Sequence, residues 1–355
     1  MTSAWVNRAI SAIERDFNRS ADTHLIQVPC LQLPNISIYL KDESIHPSGS
    51  LKHRLARSLF LYGICNGWIR EGTPIVEASS GSTAISEAYF AQLLDLPFHT
   101  VIPANTSREK VKKIEFLGGT CHLVDGGDIY SHAERIAKEL KGHYMDQFTF
   151  AERATDWRAN NNIAESMFRQ MALEADPVPK WVVVSAGTGG TSATIGRYIR
   201  YQKLSTQLCV ADPENSVYYD YYQTGDRNVT SCGPSRIEGI GRPRVEASFL
   251  PTVVDRMIKV DDAASLAAIR LLECLLDRKC GGSTGTNFWA TMQIVAQMIE
   301  QGETGSVVTL ICDGGERYLT TYYDDAWIAS QGLDPAPYEA WLRSFLDTGK
   351  PPACL

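Results

Sequence analysis

The sequence predicts an α/β protein in which helices connect the strands of parallel sheets. Short β-branched runs of strand length alternate along the chain with helix-length segments whose apolar residues recur at helical spacing. Glycine- and serine-rich turns follow several of these strands, and ligands of such sheets bind at the carboxyl ends of strands. The length of 355 residues is sufficient for two domains, each with its own hydrophobic core. This pattern is typical of parallel strands joined by crossover helices.

The predicted strands are short runs that are rich in β-branched and other apolar residues. They cover residues 36–40, 74–77, 100–102, 121–124, 181–185, 208–211 and 306–312. The predicted crossover helices cover residues 83–94, 107–116, 129–140, 191–201 and 262–277. An amphipathic helix is also expected at residues 4–10, near the N-terminus.

Two further segments carry no strand or helix prediction. Residues 213–244 are predicted to form a loop, which is long for a connection inside a compact domain and is therefore a candidate lid. Its tyrosines (Tyr218, Tyr219, Tyr221 and Tyr222) are equally compatible with packing at a subunit contact. The segment after Gln331 contains four prolines and is predicted to be a surface tail.

Composition excludes several classes of partner. The net charge is −7 and no basic block is present, which argues against nucleic acid or an anionic membrane surface as the main partner. No apolar run reaches the roughly 18 residues that a membrane span requires. The nine cysteines are scattered without CxxC spacing, and neither they nor the seven histidines show metal-ligand spacing. We therefore expect a cytoplasmic protein without a disulfide framework and without a metal site.

The first candidate site residue is Lys52, which follows Ser48, Gly49 and Ser50 in a turn of small residues. Ser50 is expected to cap a helix that begins near residue 51. A lysine at a helix start is most often a solvated cation. A lysine cleared of bulky neighbours can also form a covalent bond with a carbonyl cofactor, which makes Lys52 a candidate catalytic residue.

Two turns are predicted to bind anions at helix N-termini. The serine loop (Ser79, Ser80, Gly81, Ser82 and Thr83) offers hydroxyls and free backbone N–H groups suited to a carboxylate, although a plain capped turn explains it equally well. The glycine loop (Gly187, Thr188, Gly189, Gly190 and Thr191) follows an apolar strand and permits close backbone approach to a phosphate. A lysine together with a phosphate loop is what a pyridoxal 5′-phosphate site requires.

Asp313 is the next candidate, because the apolar strand at residues 306–312 delivers it into a Gly-Gly turn. An acidic residue at the carboxyl end of a strand is often catalytic in α/β folds. The commoner explanation is that such a residue caps the following turn.

The ordered motifs resemble the cysteine synthase/cystathionine β-synthase family of fold-type-II pyridoxal 5′-phosphate enzymes over residues 25–325. PSGSLKHR is similar to the lysine motif, SSGSTA to the substrate-carboxylate loop, GTGGT to the phosphate cup, IEGIG to a mobile loop, and GERYLTT to the segment near the pyridine nitrogen. The resemblance implies that Lys52 attaches the cofactor, and that Ser82, the glycine loop and Asp313 help to bind it. It also implies that Ser79, Ser80, Gly81, Thr83, Gln147 and Gly239 contact the substrate.

Within this family the chain most resembles the L-cysteine desulfhydrase branch. Asp313 stands where synthases usually have serine, and a carboxylate there would keep the pyridine nitrogen protonated and strengthen the electron sink. Ser82 stands where the family usually has asparagine. Glu238 stands where cysteine synthases often have glutamine, and its carboxyl group is a candidate general acid or base.

The resemblance implies a tryptophan-synthase-β-like fold with two domains, each a largely parallel sheet flanked by helices. Residues 46–158 would form the smaller, mobile substrate-side domain, and residues 1–45 with 159–330 the larger cofactor-binding domain. The implied enzyme is a homodimer that converts L-cysteine and water to hydrogen sulfide, pyruvate and ammonia. One alternative is β-replacement on O-acetylserine or another activated serine. The other is a silent binding protein on the same fold, against which Lys52 argues.

Overall fold

The computed structural model describes residues 4–19, 22–29, 32–33, 35–125, 128–231, 233 and 235–352. The strands are β1 His24–Gln27, β2 Ile36–Asp42, β3 Ile75–Glu77, β4 Phe98–Pro103, β5 Gly119–Val124, β6 His143–Tyr144, β7 Trp181–Ser185, β8 Gln207–Pro213, β9 Arg256–Val260 and β10 Gly305–Ile311. They form two sheets, which confirms the predicted α/β class.

The helices that surround these strands include every one of the predicted crossovers. They are α1 Ala4–Asn18, α2 Lys52–Cys65, α3 Ser82–Leu93, α4 Arg108–Phe116, α5 Ile129–Glu139, α6 Gln147–Ala154, α7 Ile163–Met171, α8 Gly190–Tyr201, α9 Tyr218–Thr224, α10 Asp262–Leu276, α11 Gly282–Glu300, α12 Asp325–Ser330 and α13 Ala336–Thr348. Short 3₁₀ helices occur at Glu43–Ile45, Pro251–Val253 and Glu316–Tyr318.

Contacts divide the chain into two units, and the first comprises Met1–Asp22 and His46–Asp156. Its sheet has the strand order β5-β4-β3-β6, and all of its neighbouring strands are parallel. Helix α1 belongs to this unit because Trp5, Ala9 and Ile13 are buried in its apolar core. This differs from the prediction that residues 1–45 join the larger domain, since the packing of α1 could not be read from its own sequence pattern.

The second unit comprises Thr23–Ile45 and Trp157–Leu355. Its sheet has the order β1-β2-β10-β7-β8-β9, in which only β1 runs antiparallel to its neighbour. Parallel strands covered by helices read as continuous apolar runs, and Val182, Val183 and Val184 of β7 are fully buried. The functional roles that we assigned to the two domains stay a prediction.

Two segments of the second unit differ from the sequence-based expectation. Helix α9 lies within residues 213–244, which we predicted to be entirely loop. Helix α13 lies in the predicted surface tail, yet Trp341, Leu342 and Phe345 are buried in the main core of the unit. The prolines at 335 and 337 sit at the start of this helix, where their missing N–H groups cost nothing, so they do not indicate an irregular tail.

The structure also bears on membrane spanning and on metal binding. Among the residues that the structure describes, no helix is both long enough and apolar enough to cross a bilayer. Within the same residues, no group of three or more His, Cys, Asp and Glu side chains is arranged to hold a metal ion.

Candidate active site

Lys52 is the first residue of helix α2 in the first unit, as its sequence position predicted. The cap position belongs to Leu51, while the Ser50 hydroxyl accepts a hydrogen bond from the Lys52 backbone N–H at 3.3 Å. Gly49 adopts a φ of 79°, and a Cβ there would meet nothing within 4 Å, so the turn needs glycine for its conformation rather than for space.

The serines of this turn have structural partners. Ser48 is buried, and its hydroxyl lies 3.0 Å from Nδ1 of His53 and 2.8 Å from the Ser86 hydroxyl. This network ties the turn before Lys52 to helices α2 and α3. The Ser-Gly-Ser sequence therefore sets the start of α2 and does more than keep bulky side chains away from the lysine.

The serine loop connects β3 to α3 in the same unit. Gly81 occupies the N-cap position of α3 and has no side chain with which to cap the helix. Gly81 therefore does not provide the capping side chain that the plain-turn alternative assumed, which favours the anion-binding interpretation. The Ser79 backbone is held by the Thr100 hydroxyl, which donates to its carbonyl oxygen at 2.6 Å.

The structure brings Gln147 to the serine loop. The Thr83 hydroxyl donates to Oε1 of Gln147 at 2.8 Å, and both side chains are buried. The Gln147 backbone N–H in turn donates to Oε2 of Glu77 at 3.2 Å, and the Ala78 N–H donates to Oε1 of Glu77 at 2.6 Å. Glu77 thus holds the backbone of Gln147 in the position from which its side chain contacts Thr83.

Sequence reasoning missed Glu77 and a second buried acid, Glu87. Both are fully buried, and burial raises the pKa of each carboxyl group above its usual range. Their mutual interaction contributes, because the charge of Glu77 raises the pKa of Glu87 further. The available signal was an acidic residue at the end of the apolar strand β3 and another among the apolar residues of α3.

The glycine loop connects β7 to α8 in the second unit. Gly189 is the N-cap residue with a φ of 90°, and the Thr188 hydroxyl accepts a hydrogen bond from the Gly190 N–H at 3.2 Å. A Cβ at position 187 would lie 2.2 Å from the Gly239 carbonyl oxygen, and one at position 189 would lie 2.5 Å from Cα of Phe249. These glycines are therefore needed for backbone packing within the protein, and not only for the approach of a phosphate.

The loop at residues 237–241 packs directly on the glycine loop. The Gly241 N–H donates to the Ala186 carbonyl oxygen at 2.9 Å, and Gly239 adopts a φ of 84°. The Glu238 backbone N–H donates to the Tyr322 hydroxyl at 2.9 Å. The structure thus brings Glu238 and Gly239 to the predicted phosphate loop, although these segments are far apart in sequence.

Asp313 follows strand β10 and is largely buried. Its Oδ2 accepts a hydrogen bond from the Arg317 guanidinium at 2.6 Å and another from the Tyr318 hydroxyl at 2.8 Å. Gly315, and not Asp313, holds the N-cap position of the 3₁₀ helix that follows. The capping explanation for Asp313 is therefore replaced by an ion pair with Arg317.

The surroundings of Asp313 are tightly packed and charged. A Cβ at position 281 would lie 1.8 Å from Oδ1 of Asp313, so Gly281, the N-cap residue of α11, makes room for the carboxylate. Burial, together with the charge of Asp313, raises the pKa of Tyr318 well above its usual range. Burial alone would lower the pKa of Arg317, but its interactions with Tyr318 and Asp313 outweigh this effect and raise it.

The residues of the second unit fit a cofactor that carries a phosphate and a basic ring nitrogen. The glycine loop offers backbone N–H groups at the start of α8, two threonine hydroxyls and no acidic side chain, which suits a phosphate. Asp313 offers a carboxylate suited to a protonated ring nitrogen. In the first unit, Lys52 supplies an amine and the serine loop supplies N–H groups and hydroxyls at the start of α3.

Comparisons with known proteins agree with this donor set. The family model described as "Pyridoxal-phosphate dependent enzyme" matches residues 21–313. "L-cysteine desulfhydrase Cds1" of Mycobacterium tuberculosis (strain ATCC 25177 / H37Ra) is 58% identical over 351 residues, covering 97% of this chain and 95% of that relative. A "Cysteine synthase" of Aquifex aeolicus (strain VF5) is 29% identical, covering 81% of this chain and 84% of that relative.

A solved structure is similar in fold. The crystal structure of an O-ureido-L-serine synthase superposes with a TM-score of 0.75 at 24% identity, covering 86% of this chain and 96% of that one. At this level of identity the likeness concerns the fold alone, and it agrees with two largely parallel sheets flanked by helices.

Proposed function

This chain belongs to the family of pyridoxal-phosphate dependent enzymes, and from that membership we propose that it catalyses β-elimination on L-cysteine. One water is consumed, and hydrogen sulfide, pyruvate and ammonia are the products. The observation that carries this proposal is the 58% identity, over nearly the whole chain, to an L-cysteine desulfhydrase. When bound, pyridoxal 5′-phosphate supplies the electron sink that makes the Cα proton of an amino acid removable.

The chain's own residues take the following proposed roles. Lys52 supplies the amine to which the cofactor attaches, and the same amine accepts the substrate's Cα proton. The glycine loop binds the phosphate through N–H groups and threonine hydroxyls. Ser82 lies beside the cofactor, while Ser79, Ser80, Gly81 and Thr83 bind the substrate carboxylate at the start of α3.

The remaining roles fall to groups whose environment the structure defines. Asp313 holds positive charge at the ring nitrogen, and within the protein it forms an ion pair with Arg317. Glu238 donates a proton to the departing thiolate or activates water. Gln147 acts through Thr83, to which it is hydrogen-bonded, and Gly239 gives the 237–241 loop its left-handed turn beside the substrate.

The alternative is β-replacement, in which a second nucleophile adds after the β-substituent leaves. Cysteine synthases are among the relatives, so this reaction has a specific observation in its favour. The decisive experiment incubates the purified protein with L-cysteine and measures sulfide and pyruvate, and in parallel supplies O-acetylserine with sulfide and measures cysteine. Equimolar sulfide and pyruvate support β-elimination. Faster cysteine formation with little pyruvate would favour the synthase, and no product in either assay would contradict both.

The proposal extends to assembly and location. The resemblance to the family implies a homodimer, and the scattered cysteines favour the cytoplasm. Light scattering of the purified protein tests the first point, since a dimer has twice the 39.3 kDa mass of one chain. Fractionation of the source cells tests the second.

A further inference from the structure

Helix α9 contains a fully buried tyrosine whose hydroxyl contacts the glycine loop. Tyr218 is 0% exposed, and its hydroxyl donates to the Gly187 carbonyl oxygen at 2.7 Å. The proposed function assigns this tyrosine no role.

Tyr218 also packs on Phe249, the residue that lies against the glycine loop at Gly189. Its ring stacks on Phe249, with centroids 4.0 Å apart and an interplanar angle of 18°. Phe249 also limits the space at Gly189, because a Cβ added at position 189 would lie 2.5 Å from Cα of Phe249. Tyr218 therefore contacts the loop at Gly187 and packs on the residue that limits it at Gly189.

Helix α9 is itself firmly attached to the unit. The Tyr219 N–H donates to the buried carboxylate of Asp212 at 2.8 Å, and the Val217 N–H donates to the Arg242 carbonyl oxygen at 2.9 Å. These hydrogen bonds hold the start of α9, and with it Tyr218, in a fixed position.

The hydrogen bond to Gly187 has a consequence for the next N–H group. In a planar trans peptide, the carbonyl oxygen of one residue and the N–H of the following residue point in opposite directions. Holding the Gly187 oxygen on Tyr218 therefore fixes the direction of the Thr188 N–H. It also keeps the partial negative charge of this oxygen engaged with a donor, which reduces its repulsion of an anion.

We propose that Tyr218 is a positioning residue for the cofactor phosphate, acting through the peptide between Gly187 and Thr188. This inference rests on the proposed function, which places the phosphate at the glycine loop. The Tyr218 hydroxyl orders the glycine loop before the anion binds. The loop therefore loses its conformational entropy when the protein folds and not when the phosphate binds.

The test compares Tyr218→Phe with Tyr222→Phe in the full-length chain. Tyr222 lies on the same helix, and its hydroxyl donates to the Asp255 carbonyl oxygen at 3.0 Å, away from the glycine loop. Both variants lose one hydroxyl and keep the ring. Cofactor is removed, and each protein is titrated with pyridoxal 5′-phosphate and with pyridoxal, which lacks the phosphate.

We expect Tyr218→Phe to weaken binding of pyridoxal 5′-phosphate by roughly five- to tenfold, the effect of one hydrogen bond, and to leave pyridoxal binding unchanged. Tyr222→Phe should bind both compounds as the parent protein does. A second readout is the ³¹P NMR line of the bound cofactor, which should shift or broaden in Tyr218→Phe alone.

Three outcomes would overturn the inference. The first is that Tyr218→Phe binds the phosphorylated cofactor as tightly as Tyr222→Phe does. The second is that Tyr218→Phe loses affinity for both compounds equally, which would indicate general damage to the fold. The third outcome comes from another variant, Thr191→Ala, which tests the proposed phosphate site at the glycine loop. If Thr191→Ala leaves phosphate-dependent binding intact, then the phosphate does not depend on the glycine loop, and the proposed phosphate site fails together with the role of Tyr218. If Thr191→Ala weakens it and Tyr218→Phe does not, only the role of Tyr218 is lost.

Discussion

The guanidinium of Arg317 donates at 2.6 Å to Oδ2 of Asp313, which lies four residues earlier in the chain. The carboxylate is therefore balanced by a cation of the protein itself. This pairing changes what substitutions of Asp313 are expected to do, because removing the carboxylate leaves Arg317 largely buried without its ion-pair partner.

Asp313→Ser and Asp313→Asn should therefore lower both stability and β-elimination. Breaking a buried ion pair costs about 3 kcal/mol, so a lower melting temperature by itself does not reveal a role in the reaction. The discriminating quantity is the ratio of activities with L-cysteine and with O-acetylserine. We expect activity with cysteine to fall by ~10²-fold and activity with O-acetylserine to fall less, since its leaving group is better. An unchanged ratio in both variants would limit Asp313 to its structural pairing with Arg317.

Lys52→Ala should abolish the visible absorbance of the lysine-bound cofactor and lower sulfide release by several orders of magnitude. The substitution removes both the attachment point and the proposed base for the Cα proton. Lys138→Ala, at an exposed position on α5, is the matched control and should remain yellow and active. Near-normal sulfide release from the Lys52 variant would refute the assignment of this lysine.

Gly189→Ala should destabilise the protein more than Gly225→Ala does. Both glycines have a positive φ, 90° and 73°, so each substitution carries a backbone penalty of about 1 kcal/mol. Only at position 189 does the new Cβ collide with backbone, at 2.5 Å from Cα of Phe249, whereas position 225 is open. We expect an additional loss of about 2 kcal/mol at position 189, measured by urea unfolding, together with weaker cofactor retention. If both substitutions lowered the free energy of unfolding equally, the glycine loop would be able to move away from Phe249 without loss of stability.

The buried pair of Glu77 and Glu87 predicts a fall in stability with rising pH. Burial raises the pKa of both groups above the ordinary value of 4.5. Above about pH 4.5 the unfolded chain releases protons that the folded chain retains, so the free energy of unfolding decreases until the raised pKa values are passed. Glu87→Gln removes one titrating group from the folded interior while keeping its shape.

Between pH 5 and 8, the melting temperature of Glu87→Gln should therefore fall less than the melting temperature of the parent protein. Glu300→Gln, at the exposed end of α11, is the control and should follow the parent curve. Parallel curves for all three proteins would show that Glu87 gains no proton on folding.

Much of the framework was predictable because it depends on local pattern. The apolar runs at β7 and β10 and the glycine-rich turn before α8 carry their own signals for strand, turn and helix. The fold class, the family and the start of α2 at Lys52 follow from such signals. Strand β9 was missed because Arg256 and Lys259 break its apolar run. The helices α9 and α13 were missed because tyrosines and prolines resemble loop composition until their packing partners are known.

The sequence alone determined most of the helices and strands and the motifs that follow them, since propensity, periodicity and turn chemistry act over a few residues. Only the tertiary structure decided the partners of those motifs. It showed that Gly187 is a glycine because the backbone of Gly239 lies against it, that Asp313 is paired with Arg317, and that Tyr218 holds the glycine loop. These contacts depend on how distant segments pack against one another, and packing of that kind leaves no periodic trace in the residues that take part in it.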